Sequence, residues 1–115
     1  MTVDEAAKRL GLAWQGSGSR VIEAVFAGDM LGHALARIPP NAAWVTVQKH
    51  VNVIAVAVQT GAACVVLADG MALDAEAQAA AAREGVAVLI TDMPAAQVVV
   101  RLAALLQGGV GAGEL

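Results

Sequence analysis

Polar residues that could bind a small ligand or take part in a reaction fall in four short segments, each of which follows an apolar stretch. Their side chains offer carboxylates, amides, a hydroxyl, an ammonium group and an imidazole, all of which can hydrogen-bond a polar ligand. The ten candidate ligand-binding residues are Gly28, Asp29, Gln48, Lys49, His50, Asn52, Asp69, Gly70, Thr91 and Asp92.

Some of these residues have a simpler structural explanation. Asp29 and Asp92 each stand just before a predicted helix, and we interpret both chiefly as N-caps, a position that favours Asp. Asp69 and Gly70 form a typical turn pair. Residues 48–52 contain four polar side chains, more than one helix cap requires. Ligand contact and a structural role therefore both stay open for that segment.

The sequence does not match the templates of common catalytic sites. It has no Gly-x-x-x-x-Gly-Lys phosphate loop, and Gly16-Ser17-Gly18 precedes a strand, whereas a dinucleotide-binding turn links a strand to a helix. A receiver-type phosphoacceptor site needs a Lys after the last strand, where this chain has Thr91-Asp92. Cys64 falls inside an apolar strand and is expected in the core. The two His residues lack partners at metal-ligand spacing. We expect no catalytic residue, no cofactor and no metal site.

Length and composition limit the class of protein. The 115 residues fit one domain. A net charge of −3, no Tyr and only three other aromatic residues argue against binding to nucleic acid. No apolar stretch reaches about 18 uninterrupted residues, so we expect no membrane span. A secretory signal has a basic start and an apolar run, whereas this chain has the acidic Asp4 and Glu5 near its start. The single Cys fits a reducing compartment. We therefore expect a cytoplasmic protein.

The balance of apolar and charged residues is unusual. Hydrophobic residues make up 58% of the chain and charged residues 15%, against roughly 25% charged in typical domains. Because too few polar side chains are present to cover a monomer, an exposed apolar face is expected. This predicts a homodimer or another small homo-oligomer.

Helices and strands are predicted to alternate along the chain. Thr2 and Glu5 form a capping box for a first short helix that ends at Gly11. Residues 50–60 are ambiguous, because their Val-rich composition favours a strand whereas their length and Gly61 favour a helix. The other predicted strands are 20–27, 43–48, 62–68 and 86–91, and the other predicted helices are 30–38, 74–84 and 94–107.

This alternation predicts the α/β class: a single domain with a mainly parallel sheet of about four or five strands flanked by helices. Ligands of such sheets bind beyond the carboxyl ends of the strands, where the four polar segments fall. We divide the chain into an N-terminal helix and linker (1–19), the α/β domain (20–107) and a flexible Gly-rich tail (108–115).

Four passages within residues 25–106 resemble the DRTGG domain family, which is related in pattern to the N-terminal domain of HPr kinase/phosphorylase. They are VFAGDML (25–31), AWVTVQKHVN (43–52), ACVVLADG (63–70) and AREGVAVLIT (82–91). The resemblance departs at two turns. The family often has a Gly-Asp-Arg-type turn where this chain has Gln48-Lys49-His50, and Thr-Gly-Gly where it has Ala68-Asp69-Gly70.

The resemblance implies a small α/β fold, often dimeric, and favours a helix for residues 50–60. It also implies a regulatory segment that senses a nucleotide or metabolite, as attached to phosphotransacetylases and to CBS-domain pyrophosphatases. Since no enzyme domain accompanies this sequence, we expect it to act on a partner enzyme in trans.

Three hypotheses about function follow. The first is a non-catalytic regulatory module that binds an adenine nucleotide or a small metabolite at a homodimer. The second is a protein-interaction or scaffold module without a ligand. The third, which we favour least, is a phosphotransfer protein using His50 or Asp69, for which the sequence offers no pairing of a base with a group that orients it.

Overall fold

The computed structural model describes residues 1–107, so the predicted flexible tail at 108–115 lies outside the described residues. Five helices and five strands alternate over most of this length, as predicted for the α/β class. In chain order they are α1 (Val3–Leu10), β1 (Ala13–Gln15), β2 (Ala24–Ala27), α2 (Leu31–Arg37), β3 (Ala42–Thr46), α3 (Val51–Thr60), β4 (Cys64–Leu67), α4 (Ala75–Glu84), β5 (Val88–Ile90) and α5 (Ala95–Leu106).

Most helix ends lie where the cap residues predict them. Thr2 and Glu5 form the reciprocal capping box of α1. Gly11, Gly61 and Gly85 end α1, α3 and α4 in the left-handed conformation, which glycine adopts without a Cβ penalty. Residues 51–60 are helical, so the ambiguous segment is resolved as the family resemblance implied.

Two predicted caps are wrong. Helix α2 is capped by Met30 and α5 by Pro94, and neither makes a side-chain cap bond. Asp29 precedes the cap of α2 and bonds the next strand, as described below. Asp92 lies two residues before the cap of α5 and is exposed. Both carboxylates lie near a helix start without capping the helix, so the predicted capping role was wrong for each.

The sheet is parallel except at one edge. Its order is β1-β5-β4-β3-β2, and only the β1–β5 pair is antiparallel. Strand β1 was not predicted, because its three residues are all exposed and carry no apolar run. The predicted strand at 20–27 is reduced to its last four residues.

The order of the parallel strands decides where the helices lie. Since β2, β3, β4 and β5 are neighbours in chain order, right-handed crossovers place α2, α3 and α4 on one face. The core confirms this arrangement, because one buried cluster joins the sheet to α2, α3 and α4, and a second joins it to α1 and α5. The result is three layers with a core on each side of the sheet.

The central strands contribute to both cores, which explains their continuous apolar sequences. In β3, Trp44 faces the cluster of α2, α3 and α4, whereas its neighbour Val45 faces the cluster of α1 and α5. Cys64 is fully buried, as predicted. Burial raises the pKa of its thiol to about 12. No helix within residues 1–107 combines the length and apolar character needed to cross a membrane.

Candidate functional site

The carboxyl ends of β2, β3, β4 and β5 meet at one edge of the sheet because the strands are parallel. The loops that follow them contain nine of the ten sequence-predicted site residues, and the tenth, Asn52, lies in the first turn of α3. This edge is called the carboxyl edge below. The structure divides the ten residues among separate groups of contacts.

The first group braces the loops after β2 and β3 against each other. The Asp29 carboxylate accepts a hydrogen bond from the buried Thr46 hydroxyl at 2.7 Å and another from the Val47 backbone N–H at 3.0 Å. The Gln48 side-chain amide donates to the Asp29 carbonyl at 2.9 Å. Because these polar groups satisfy one another, Asp29 and Gln48 have a structural role.

Gly28 belongs to the same group. Its carbonyl accepts a hydrogen bond from the indole N–H of the buried Trp44 at 2.9 Å. Its own N–H donates to the Val45 carbonyl at 3.2 Å. The β2–α2 loop is thus attached to β3 from both sides, and the position of Gly28 is accounted for by the fold.

The second group joins the loop after β3 to the start of α4. The His50 Nδ1 lies 3.3 Å from a carboxylate oxygen of Asp74, whose other oxygen accepts from the Ala77 backbone N–H at 2.9 Å as the predicted helix cap. The Ala77 N–H, and then His50, hold the pKa of Asp74 below its ordinary value. The Asp74 backbone N–H donates to the Lys49 carbonyl.

Sequence reasoning missed the contact between His50 and Asp74. It pairs an imidazole with a carboxylate that can orient it, the arrangement that the phosphotransfer hypothesis lacked. The two residues are 24 positions apart in the sequence. The role of Asp74 as a helix cap already accounts for its carboxylate, so the sequence gives no reason to look for a second partner. Both side chains are well exposed, at 65% and 41%.

The third group joins the loops after β4 and β5. The Asp69 N–H donates to the Met93 carbonyl and the Gly70 N–H donates to the Thr91 carbonyl, each at 2.9 Å. Both Asp69 and Gly70 have positive φ. The positive φ of Gly70 favours glycine, and a Cβ there would lie 3.1 Å from the Asp92 carboxylate, which would have to shift.

Residues 48–52 therefore do not converge on one pocket. Gln48 is directed to Asp29, His50 to Asp74, and Asn52 lines a groove of about 240 Å³ between α2 and α3. Lys49 is exposed. The four polar side chains share a segment of sequence but lie in different surroundings.

Thr91 and Asp92 line a groove of about 570 Å³ at the corner where β5 ends, which we call the α1–α5 groove. Its volume falls within the range of small-molecule sites, roughly 300–1,000 Å³. Sequence reasoning missed most of its lining, because the antiparallel β1 and the packing of α1 near α5 were not predictable. The other lining residues are Leu10, Gly11, Ala13, Ile90, Met93, Gln97 and Arg101.

The topology reverses between β4 and β5, next to this groove, which is lined from β1, β5, α1 and α5. The chain leaves β4 for a helix on one face of the sheet and leaves β5 for a helix on the other. In open α/β sheets, ligands bind in the crevice that such a reversal creates at the carboxyl ends of the strands. The segment described here, residues 1–107, contains no cluster of three or more His, Cys, Asp or Glu side chains able to hold a metal ion.

The fold and the groove together define a small, three-layer α/β domain with a polar crevice at the end of its last strand. The chain belongs to the DRTGG domain family, whose model matches residues 12–105. The sequence resemblance to this family is thereby confirmed, over a longer stretch than the four passages.

The fold is also similar to a solved structure of the CBS and DRTGG domains of the regulatory region of Clostridium perfringens pyrophosphatase, complexed with its activator diadenosine tetraphosphate. The TM-score is 0.64 at 13% sequence identity, and the match covers 87% of this chain. It covers 46% of the solved chain, so this protein spans less than half of that structure. No curated protein matches the sequence.

Proposed function

We propose that this chain is a non-catalytic regulatory module that senses a small ligand, an adenine nucleotide or another small metabolite, at the carboxyl edge of its sheet. The observation that carries the proposal is the α1–α5 groove, which combines four apolar side chains with four polar ones at the carboxyl end of β5, beside the topological reversal. Membership of the DRTGG family supports a regulatory role. The solved regulatory region, 46% of which is covered by the match, contains CBS and DRTGG domains and is complexed with a nucleotide activator.

The contacts of the carboxyl edge favour binding over catalysis. Asp29 and Gln48 bond the neighbouring loop, and Asp74 caps a helix, so these groups stabilise the fold. His50 and Asp74 lie at an exposed surface. A catalytic pair works in a site that shields the reacting atoms from water.

The proposed regulatory unit is the domain at 20–107, with 1–19 as an N-terminal addition that supplies one wall of the groove. We propose that it acts as a homodimer in the cytoplasm and signals to a partner enzyme. The exposed apolar residues Leu35 and Val58, on α2 and α3, support self-association.

Thermal unfolding in the presence of nucleotides and small metabolites tests the sensing function. A ligand at about 100 times its Kd adds about 2.7 kcal/mol to the free energy of unfolding, which raises the midpoint by several degrees. We expect at least one ligand of the panel to produce that shift. A flat response at millimolar concentrations contradicts the proposal.

The exposed apolar face also supports a second candidate, a protein-interaction module without a ligand. Pull-down with the wild-type chain and with a double variant of the α1–α5 groove, Gln97→Ala and Arg101→Ala, separates the two. A partner that binds both equally, together with a flat ligand panel, favours the interaction module. Loss of the partner on substitution assigns the carboxyl edge to recognition.

A further inference from the structure

Strand β2 forms one edge of the sheet, and its outer side has no neighbouring strand among residues 1–107. The Gly28 N–H donates to the Val45 carbonyl of β3 at 3.2 Å. Because the backbone groups of successive residues in a strand point to opposite sides, those of Val25 and Ala27 point away from β3. Over the described part of the chain, no hydrogen bond outside the β2–β3 ladder involves either residue. Their N–H and carbonyl groups therefore stand free at the edge.

The part of the edge just before β2 is already paired with an antiparallel segment. The Ile22 N–H donates to the Met1 carbonyl at 2.8 Å, on the side opposite the Glu23 N–H, which donates to the residue before β3. The Val3 N–H donates to the Arg20 carbonyl at 2.9 Å. The first three residues of the chain thus run antiparallel to the segment before β2. The edge accepts a strand in this orientation, and the pairing stops short of β2 itself.

The sequence of β2 does not protect its open side. Natural sheets protect exposed edges with charged residues, Pro, bulges or very short strands. The opposite edge strand, β1, follows this rule, since it has three residues and ends before Gly16, whose φ is 92°. Strand β2 reads Ala-Val-Phe-Ala, with neither a charge nor a Pro. An uncharged edge of this kind is suited to pairing with a strand of another chain.

The side chains around this edge set the chemistry of a strand that pairs with it. Val25 packs against the cluster of α1 and α5, and Phe26 packs against the cluster of α2, α3 and α4, both partly buried. The edge is therefore apolar on both faces of the sheet. Glu23 is exposed at the end where an antiparallel strand would have its last residues. Since apolar pairs and pairs of opposite charge stabilise neighbouring strands, the edge suits an apolar strand that ends in Lys or Arg.

We propose that the open edge of β2 binds an extended segment of a partner protein, which adds to the sheet as an antiparallel strand with apolar side chains and a basic residue opposite Glu23. This inference rests on the proposed signalling to a partner enzyme and names the surface that contacts it. The edge lies across the sheet from the α1–α5 groove, which is lined from β1 and β5. Ligand and partner would therefore occupy different surfaces.

NMR titration of the full chain with the peptide acetyl-Val-Thr-Val-Thr-Val-Lys-amide tests the proposal. We expect millimolar peptide to shift the amide signals of Val25 and Ala27 and to slow their hydrogen exchange, because these N–H groups become hydrogen-bonded. Ala27→Pro removes one outward N–H, a change that an edge strand tolerates. It should weaken peptide binding about tenfold through the lost hydrogen bond, whereas the matched control Ala27→Ser keeps the N–H and should bind as the wild type does.

A covalent version of the probe removes the dependence on peptide affinity. The residues Thr-Val-Thr-Val-Lys placed before Met1 would continue the existing antiparallel pairing along β2 at a high effective concentration. We expect hydrogen exchange at Val25 and Ala27 to slow about tenfold in this extended chain. An extension of the same length with Pro at every second position lacks the necessary donors and should leave exchange at both residues unchanged.

The inference stands if the peptide or the extension protects the two amides and its Pro control does not. It is overturned if neither probe protects them, if Ala27→Pro binds the peptide as the wild type does, or if the shifts map away from β2. The sensing function is judged separately by the ligand panel. A ligand that raises the unfolding temperature of the wild type and of Ala27→Pro alike leaves sensing intact whatever the edge binds.

Discussion

Asp29 shows that a side chain in the position of a helix cap can instead hydrogen-bond a segment distant in the sequence. Its position before α2 predicts a helix cap, but its carboxylate accepts hydrogen bonds from Thr46 at the end of β3 and from Val47 in the loop that follows. The Thr46 side chain is 1% exposed, so its hydroxyl has little access to water as an alternative acceptor. The bond therefore contributes to stability rather than to ligand binding.

Replacement of Asp29 by Ala tests this role. We expect the free energy of unfolding to fall by about 1–2 kcal/mol, because a buried hydroxyl loses its acceptor. Urea unfolding measures the change, with Asp92→Ala, at an exposed position on the same edge, as the control. An Asp29→Ala variant as stable as the control would show that water replaces the carboxylate.

Cys64 gives a prediction about reactivity and pH. Since burial raises the pKa of its thiol to about 12, we expect no reaction with a thiol reagent in the folded state and full reaction in denaturant. The unfolded thiol ionises near 9.0, so stability should decline as pH rises from 9.0 towards 12. Urea unfolding of Cys64→Ala should show a weaker decline over that range, and an identical decline would contradict this assignment.

Among the elements, the end of α3 depends on a contact that no local pattern reveals. Arg20, in the segment predicted as strand, donates hydrogen bonds to the carbonyls of Gly61 and Ala62 at 2.8 and 2.7 Å. It also donates to the side chain of Asn41 at 2.8 Å, which in turn donates to Glu23. One guanidinium thus links the residues before β2, the start of β3 and the end of α3.

Substitution of Arg20 should destabilise the whole sheet. We expect Arg20→Ala to lower the free energy of unfolding by about 2 kcal/mol, and Arg20→Lys to recover only part of it, because an ammonium group lacks the planar fork. Arg9→Ala, at an exposed position of α1, is the control in the same urea titration. Full recovery by Lys would show that charge alone matters.

The start of α4 should be sensitive to acid. The pKa of Asp74 is lowered in the fold, so its ionised form stabilises the folded state above the ordinary value of 3.8, and this contribution is lost as pH falls further. Asn also caps helices but does not titrate. Thermal unfolding of Asp74→Asn should therefore lose less stability than the wild type below that pH, and parallel curves would contradict the assignment.

The molecule as a whole presents a polar carboxyl edge and an apolar helical face. A groove of about 290 Å³ between α3 and α4 is lined largely by apolar residues, including Val51, Ile54 and Val58. Arg83 and Glu84 also line it, so a second copy related by a two-fold axis can present opposite charges there. This face is our proposed dimer contact.

Substitution on that face tests the dimer. Val58 is 46% exposed, and we expect Val58→Lys to convert the dimer to a monomer in sedimentation experiments, because a charge would enter an apolar contact. Val100, 69% exposed on α5, provides the control Val100→Lys on the opposite layer. A wild-type chain that sediments as a monomer, or dimers that persist in Val58→Lys, would contradict this interface.

The amino-acid sequence by itself determined the class of fold and most of its elements. Caps such as Thr2 and Asp74, glycine terminators and apolar runs act over about one helical turn, so they are readable without knowledge of the rest of the chain. Family membership was also readable, since four passages carried it.

Only the tertiary structure decided what the polar residues contact. Asp29 meets Thr46 across 17 positions, His50 meets Asp74 across 24, and Arg20 meets Ala62 across 42. The α1–α5 groove likewise needs the antiparallel addition of β1 beside β5. Such contacts depend on strand order and on the face that each helix covers, which short-range patterns do not encode. The ten candidates therefore lie at one edge of the sheet, as their positions after the strands predicted, while their division into structural bonds and groove lining followed from packing.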